Sequence, residues 1–295
     1  MLRYNKEDLR QMRFDMHVHT TASDGVFSPT EIVRQAQALR LTGLAITDHD
    51  TLDGLAEAQA AVKESSVSLV YGVELNCSLG PEEDAPEVHV LGYFFDLENA
   101  ALNAKLRQLQ EHRRLRGQKM LAVLAELGMP LDAAILNDYA ESGSVGRGMI
   151  ARKLVEAGYV QDKKEAFAKW LDVGKPGYVP RLHLTVAEAV QLLHGAGGLA
   201  VLAHPAQYHN DALPAQLAPF GLDGLECRHP DQPPELQPRY LQMAAQLGLA
   251  VTGGSDCHTE GLGAYTMNGE EMRELVQRWL RLPQAHERKR PLWGV

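Results

Sequence analysis

Long apolar runs are missing from this 295-residue chain. No stretch approaches the roughly 20 residues needed to cross a bilayer, so a membrane span is not expected. The opening "MLRYNKEDLRQMRF" lacks the apolar core of a secretory signal, and a cytoplasmic location is the expectation. Cysteine is scarce. Cys77, Cys227 and Cys257 are odd in number and widely spaced, which excludes an ordinary disulfide framework and fits buried reduced thiols. Internal repeats and low-complexity tracts are absent, so repeat architectures are set aside. Positive charge is also short. Lys and Arg number 29 against 38 Asp and Glu, for a net charge of −9, which argues against broad nonspecific binding to nucleic acid.

That charge is unevenly spread. Residues 99–185 hold 14 Lys and Arg against 9 Asp and Glu, a balance of +5, while the remainder holds 15 against 29. A basic middle segment therefore sits inside an acidic protein. Hydrophobic residues make up 45% and charged residues 23%, ordinary values for a globular chain.

What is present begins with "DMHVHTTASDG", residues 15–25. His17 and His19 are two apart, and residues i and i+2 of a strand share a face. The pair suits a metal ion or, more plainly, a half-buried strand. Next, "SPTEIVRQAQALRLTG" predicts a helix capped by Ser28, with Pro29 in its first turn and Glu31 closing a capping box. A short apolar strand, "LAIT", then runs into Asp48, His49 and Asp50. The theme recurs: "SLVYGVELN" carries Glu74, "EVHVLGYFF" holds His89, and "GGLAVLAHP" ends in His204. "GLDGLECRH" ends in Arg228 and His229, and "LAVTGGSDCH" in Asp256 and His258. Seven apolar strands, most followed by helices, predict a parallel sheet covered on both faces. Polar chemistry at successive strand ends is the layout of a β/α barrel site. An open doubly wound sheet would gather its ligands at one crevice instead.

The alternation stops after "YFFDLENA". A long helix closed by Gly128 and Pro130 follows, then helical stretches at "GRGMIARKLVEAGY" and "KKEAFAKWL", and a loop at "GKPGYVPR". The expected organisation is a barrel from residues 1–98 and 186–295, interrupted by an all-helical insertion at 99–185. Asp50 reads as a helix N-cap, and Arg113, Arg114 and Arg116 as solvated surface charges.

In order, the candidate donors are His17, His19, Asp24, His49, Glu74, His89, His204, Asp256 and His258. With "DMHVHTTASDG", "ITDHD", "GVELN", "EVHVLGYF", "AHP" and "GSDCH", the chain resembles the PHP (polymerase and histidinol phosphatase) family along its whole length. The resemblance implies an α/β fold, a distorted (β/α)7 barrel with a helical insertion, and two or three divalent metal ions. One ion would take His17, His19, Glu74 and Asp256. A second would share Glu74 and add His89 and His204, and a third would take Asp24, His49 and His258. Mixed imidazole and carboxylate ligands favour Mn²⁺, with Fe²⁺ or Zn²⁺ as alternatives.

The insertion motifs look like the branch that removes the 3′-phosphate from 3′,5′-nucleoside bisphosphates, some members of which degrade short RNA from the 5′ end. The branch often has Pro-His after the arginine matching Arg147, whereas this chain has Gly148 and Met149, so no role of that histidine transfers. The expectations that follow are a phosphatase with Asp24, His49 and Glu74 at the reacting phosphate and His229 as a proton donor or a plain polar loop residue. Arg147, Lys175, Arg181 and Arg228 are expected to hold the second phosphate, with Lys175 in a loop facing the barrel. The partner is a small nucleotide or short single-stranded RNA, with no membrane and no obligatory protein partner. Histidinol phosphatase activity and a non-catalytic metal-binding module are the competing readings.

Overall fold

The computed structural model describes residues 5–80, 82, 85–136, 147–182 and 184–283. A short helix α1 (Lys6–Gln11) precedes β1 (Phe14–Val18), α2 (Pro29–Ala38), β2 (Gly43–Ile46), α3 (Asp53–Val62), β3 (Ser68–Ser78) and β4 (Glu87–Tyr93). The helical segment follows: α4 (Ala100–Glu126), α5 (Arg147–Glu156) and α6 (Lys163–Ala166), the last running into a π-helical turn, Phe167–Leu171. The chain then returns through β5 (Leu184–Thr185), α7 (Val186–Gly195), β6 (Leu199–Leu202), α8 (Leu213–Leu217), β7 (Gly224–Arg228), α9 (Gln237–Leu247), β8 (Ala250–Gly253) and α10 (Gly269–Leu280).

The strand order is β1-β2-β3-β4-β6-β7-β8, with β5 paired to β3. A bridge between Val18 and Cys257 and the bond from His19 N–H to the Cys257 carbonyl, 3.1 Å, draw the two ends together into a nearly closed barrel. The predicted α2 is present with its capping box: the Ser28 hydroxyl accepts from the Glu31 N–H, and the Glu31 carboxylate accepts from the Ser28 N–H. Helix α4 ends where expected, its chain turning at Gly128 with φ of 83°.

Two departures bear on the site. Strand β4 runs antiparallel to both β3 and β6, not parallel as the alternation predicted. The connection from Ser78 to Glu87 is too short for a crossover, and a hairpin can join only antiparallel neighbours. The reversal places His89, third in β4, at the same end as the C-termini of the parallel strands. Leu184–Thr185, expected within the insertion, instead pair with Cys77 and Ser78 of β3. Two residues are too few to show a period.

The core divides into three parts. Phe14, Met16, Ala45, Val70, Leu91, Tyr93, Leu199 and Val201 form an inner cluster, plugged at one end by Met272, Leu275 and Trp279 of α10. Ile32, Val33, Leu44, Ile46, Val73, Leu75, Leu193 and Tyr240 pack between the strands and their helices. Met120, Leu124, Ile150, Leu154 and Leu171 give the helical segment its own core.

Strand β1 shifts register between Asp15 and Val18. Phe14 and Met16 belong to the inner cluster, but Val18 belongs to the outer one. Because a one-residue slip exchanges the faces, the shift lets His17 and His19 aim at the barrel mouth. Gly254 passes against this bend so closely that a Cβ there would lie 2.3 Å from the His17 Cβ. Gly254→Ala should therefore cost about 1–3 kcal/mol of stability. Thermal unfolding checks this, and an unchanged midpoint would contradict the close approach.

Candidate metal centre

The donors converge on one carboxylate. Glu74 lies mid-β3, with its neighbours Val73 and Leu75 turned into the outer core. Its Oε1 stands 2.8 Å from His89 Nδ1 and 3.0 Å from His204 Nε2. Its Oε2 stands 3.2 Å from His17 Nε2, 3.1 Å from His19 Nε2 and 3.2 Å from His49 Nδ1. That Oε2 is sealed from solvent and makes no hydrogen bond. A buried charged oxygen facing three ring nitrogens, yet bonded to none, is the arrangement of a carboxylate built to bridge cations.

Asp256 Oδ1 completes the first group at 3.3 Å from His17 Nε2 and 3.0 Å from His19 Nε2. A second group joins His49, Glu74 and His89, and a third joins His19, Asp24, His49 and His258. All nine expected donors are thus brought together. The grouping differs from expectation: His19 and His49 each touch two groups, His17, Glu226 and His229 form a fourth, and His204, though 3.0 Å from Glu74, falls in none of them. The donor set fits divalent metal ions.

The crowded donors shift one another's protonation. Burial favours the neutral form of His19, but the close carboxylates of Asp256 and Glu74 and the charge of Asp24 push its pKa up to about 10. Burial likewise acts on His89, where the charge of Glu74 prevails and pushes it up to about 10. His49 goes the other way, down to about 4, because burial outweighs Glu74 and Asp24 and neighbouring imidazoles repel a proton. Burial works against ionised Asp24, yet the surrounding imidazoles hold its carboxyl far below the usual range.

Glu226 and Tyr208, not foreseen from the sequence, and Asp48, expected to orient a ligand, fix this geometry. Glu226, fully buried in β7, lies 3.1 Å from His17 Nδ1 and accepts from the His204 N–H at 2.8 Å. A carboxylate on the far ring nitrogen holds the other nitrogen toward a metal. The Tyr208 hydroxyl accepts from the His89 N–H and lies 3.1 Å from His204 Nδ1. Asp48 accepts from Thr20 N–H, Thr20 Oγ1 and Ser23 Oγ at 2.6–2.7 Å, pinning the loop that carries Asp24. An acidic residue inside an apolar strand, as in "GLECR", was the available signal for Glu226. Strain collects here too: Asp50, His204 and Asp256 all have positive φ.

A cavity of about 310 Å³ opens beside the cluster. Its barrel wall carries Asp24, His49, Asn76, Glu87 and His89. Its opposite wall carries Arg113 and Arg116 of α4, Arg147 and Gly148 of α5, Phe167, and Arg181. Arg147 and Arg181 line this cavity, Arg181 in an ion pair with Glu87. The other three residues expected near the substrate do not line it. Lys175 is exposed and is not among the residues that line this wall. Arg228 forks onto Glu271 at 2.5 and 3.0 Å, so α10 takes its charge. His229 is buried behind Asp256: its Nδ1 accepts from the Asp231 N–H, leaving its Nε2 to donate to Asp256 Oδ2 at 3.1 Å. It steadies a donor and does not line the cavity.

The helix reading also changes. Arg113 ion-pairs with Asp50, and Arg116 is only 8% exposed, its Nε donating to the Val179 carbonyl at 2.6 Å; neither is a solvated charge. Arg114, paired with Glu111 on the surface, is. Asp50 caps no helix, since the N-cap of α3 is Leu52.

The PHP domain model matches residues 15–173, more than half of the chain. The chain belongs to the PHP family. It is 34% identical to the 5′-3′ exoribonuclease Rnm of Escherichia coli over 83% of this chain and 85% of that one. It is 35% identical to the 3′,5′-nucleoside bisphosphate phosphatase of Chromobacterium violaceum over 84% of this chain and 88% of that one. A solved structure from Bifidobacterium adolescentis, described as a proposed metal-dependent phosphoesterase, superposes with a TM-score of 0.77 at 33% identity, over 91% and 96% of the two chains.

If Glu226 orients His17, Glu226→Gln should weaken metal retention by about 10–100-fold while the protein still folds. Metal titration followed by elemental analysis checks this, and wild-type retention would remove Glu226 from that role.

Proposed function

We propose that this protein is a metal-dependent phosphatase that removes the 3′-phosphate from 3′,5′-nucleoside bisphosphates, with short 5′-phosphorylated RNA as a second substrate. One observation carries the reading: a single cavity has metal donors on one wall and guanidinium groups on the other. Arg116 is decisive within it. Burial, with the like charges of Arg147 and Arg181 close by, lowers its pKa to about 10. Clustered cations with little water around them favour a bound anion, and arginine grips phosphate through paired donors. The relatives named for bisphosphate hydrolysis and for exoribonuclease activity support the same class of substrate.

In this account His17, His19, Glu74 and Asp256 hold one divalent ion, Glu74, His89 and His204 a second, and Asp24, His49 and His258 a third. Manganese is favoured, with iron or zinc as alternatives. Such ions supply Lewis acidity and a water nucleophile at neutral pH. The chain's own residues do the rest. Arg116, Arg147 and Arg181 hold the phosphate that is not cleaved, orienting the other against the barrel mouth. Glu226 and Tyr208 hold ring orientations, and Asp48 holds the Asp24 loop. The helices of residues 99–185 act as a subdomain whose service is this second wall. Remote binding energy then appears in turnover as well as affinity.

Two alternatives are weaker. Histidinol phosphate carries a cationic amine, which the arginine wall repels. A non-catalytic module has no use for nine converging donors beside an open cavity.

Steady-state kinetics with manganese test the proposal. The kcat/KM for adenosine 3′,5′-bisphosphate should exceed that for 3′-AMP, AMP and histidinol phosphate by about 100-fold or more, as loss of a charged hydrogen-bonded anchor costs about 1.5–3 kcal/mol per contact. Comparable rates would refute the two-anchor reading. Arg116→Met and Arg147→Met should each lower the bisphosphate kcat/KM about tenfold or more, with Lys175→Ala near wild type. Sensitivity at Lys175 and not at Arg116 would place the anchor elsewhere.

A further inference from the structure

Helix α4 is seated on the barrel by Leu102, Leu106 and Leu109, which join the outer core, and its cavity-facing side is tied to the barrel by polar contacts. Asp50 is central among those polar contacts. Its backbone occupies the left-handed region, with φ of 52°. Its N–H donates to the Glu74 carbonyl at 2.9 Å, tying it to the bridging carboxylate's own strand. Its carboxylate is 4% exposed and accepts from three donors: Asn76 N–H at 3.0 Å, Asn76 Nδ2 at 2.8 Å, and Arg113 of α4. Its carbonyl accepts from Gln110 Nε2, one turn earlier on the same helix face. On the barrel side, Asn76 Nδ2 lies 3.3 Å from His49 Nδ1. On the helix side, Arg116 follows Arg113 by three residues and so shares its face.

We propose that Asp50 is a positioning residue that, through Arg113, sets the distance between the metal donors and the arginine wall. A continuous path runs Arg116–α4–Arg113–Asp50–Asn76–His49. A buried ion pair with three satisfied donors is rigid, and removal of one partner leaves the other uncompensated. A substrate held at both ends needs that distance correct to well under an ångström. A substrate held at one end does not. Asp50 therefore acts as a ruler for bisphosphates. This inference rests on the two-anchor reading above.

Asn tolerates the left-handed region well, so Asp50→Asn preserves the backbone while removing the charge that pairs with Arg113, and an amide nitrogen in place of Oδ2 leaves both Arg113 and Asn76 Nδ2 without an acceptor. The experiment compares full-length wild type, Asp50→Asn, Arg113→Gln and the double variant with manganese. The substrates are adenosine 3′,5′-bisphosphate and p-nitrophenyl phosphate. Each single variant should lose roughly 10–100-fold in kcat on the bisphosphate, and Asp50→Asn should do so with less than about threefold change on the aryl phosphate and unchanged metal content. The double variant should be no worse than either single one, since both break the same link.

Equal losses on both substrates would overturn the ruler, as would additive losses in the double variant. So would a neutral Asp50→Asn beside an Arg113→Gln that raises KM alone, because Arg113 would then contact phosphate itself. Wild-type indifference to the second phosphate would defeat the two-anchor reading and this inference together. A wild-type preference that both variants retain would defeat this inference only.

Discussion

Everything in this protein is arranged around the cost of burying the charge of Glu74. Burial alone would push its proton affinity up, but the imidazoles of His49, His17 and His89 hold it ionised. A carboxylate with one oxygen sealed and unbonded is unstable unless cations meet it. The barrel answers that demand strand by strand. The β1 register shift aims His17 and His19, and the reversed β4 delivers His89. A tight turn with positive φ delivers His204 after β6. Around them Glu226, Tyr208 and Asp48 hold the donors in place. The barrel thus supplies a rigid, strongly polar floor whose natural counterparts are divalent ions and the phosphate oxygens they attract.

The helical segment solves a different problem. A metal floor alone grips any phosphate ester. On the proposed reading the second wall adds selectivity, since its guanidiniums are partly dehydrated and close to one another. It does so without making the protein basic, since the segment's excess of five positive charges is set against a net −9 for the chain. Long-range attraction of polyanions is thereby limited, while a small dianion inside the cavity still meets concentrated positive potential. Glu87 and Asp50 pair with Arg181 and Arg113 and keep the floor and the wall in register.

The nine donors were legible because packing alone seldom puts histidines and carboxylates at the ends of apolar strands, and because short strands place such residues together. The barrel and the helical segment were legible from the switch in periodicity after β4. What escaped depended on contacts between distant elements. Nothing local in "ITDHDT" separates a helix cap from an ion pair with Arg113, sixty-three residues away. Arg228 follows an apolar strand just as a ligand would, and only the fold brings Glu271 to it. Lys175, flanked by glycine and proline, had the composition of a phosphate loop, but it is exposed and does not line the cavity. His229 sits beside Arg228 in sequence, yet its partner is Asp256, supplied by the loop that follows the neighbouring strand β8. Long side chains and buried pairs are decided by tertiary packing, which the pattern of residue types does not encode locally.

The central claim is that the 3′-phosphate meets the metal floor while the 5′-phosphate rests on the arginine wall. Identification of the nucleoside product from adenosine 3′,5′-bisphosphate, by phosphorus NMR during turnover with manganese, tests this most directly. The account predicts accumulation of 5′-AMP and inorganic phosphate. Accumulation of 3′-AMP would mean that the substrate lies the other way round, and would contradict it.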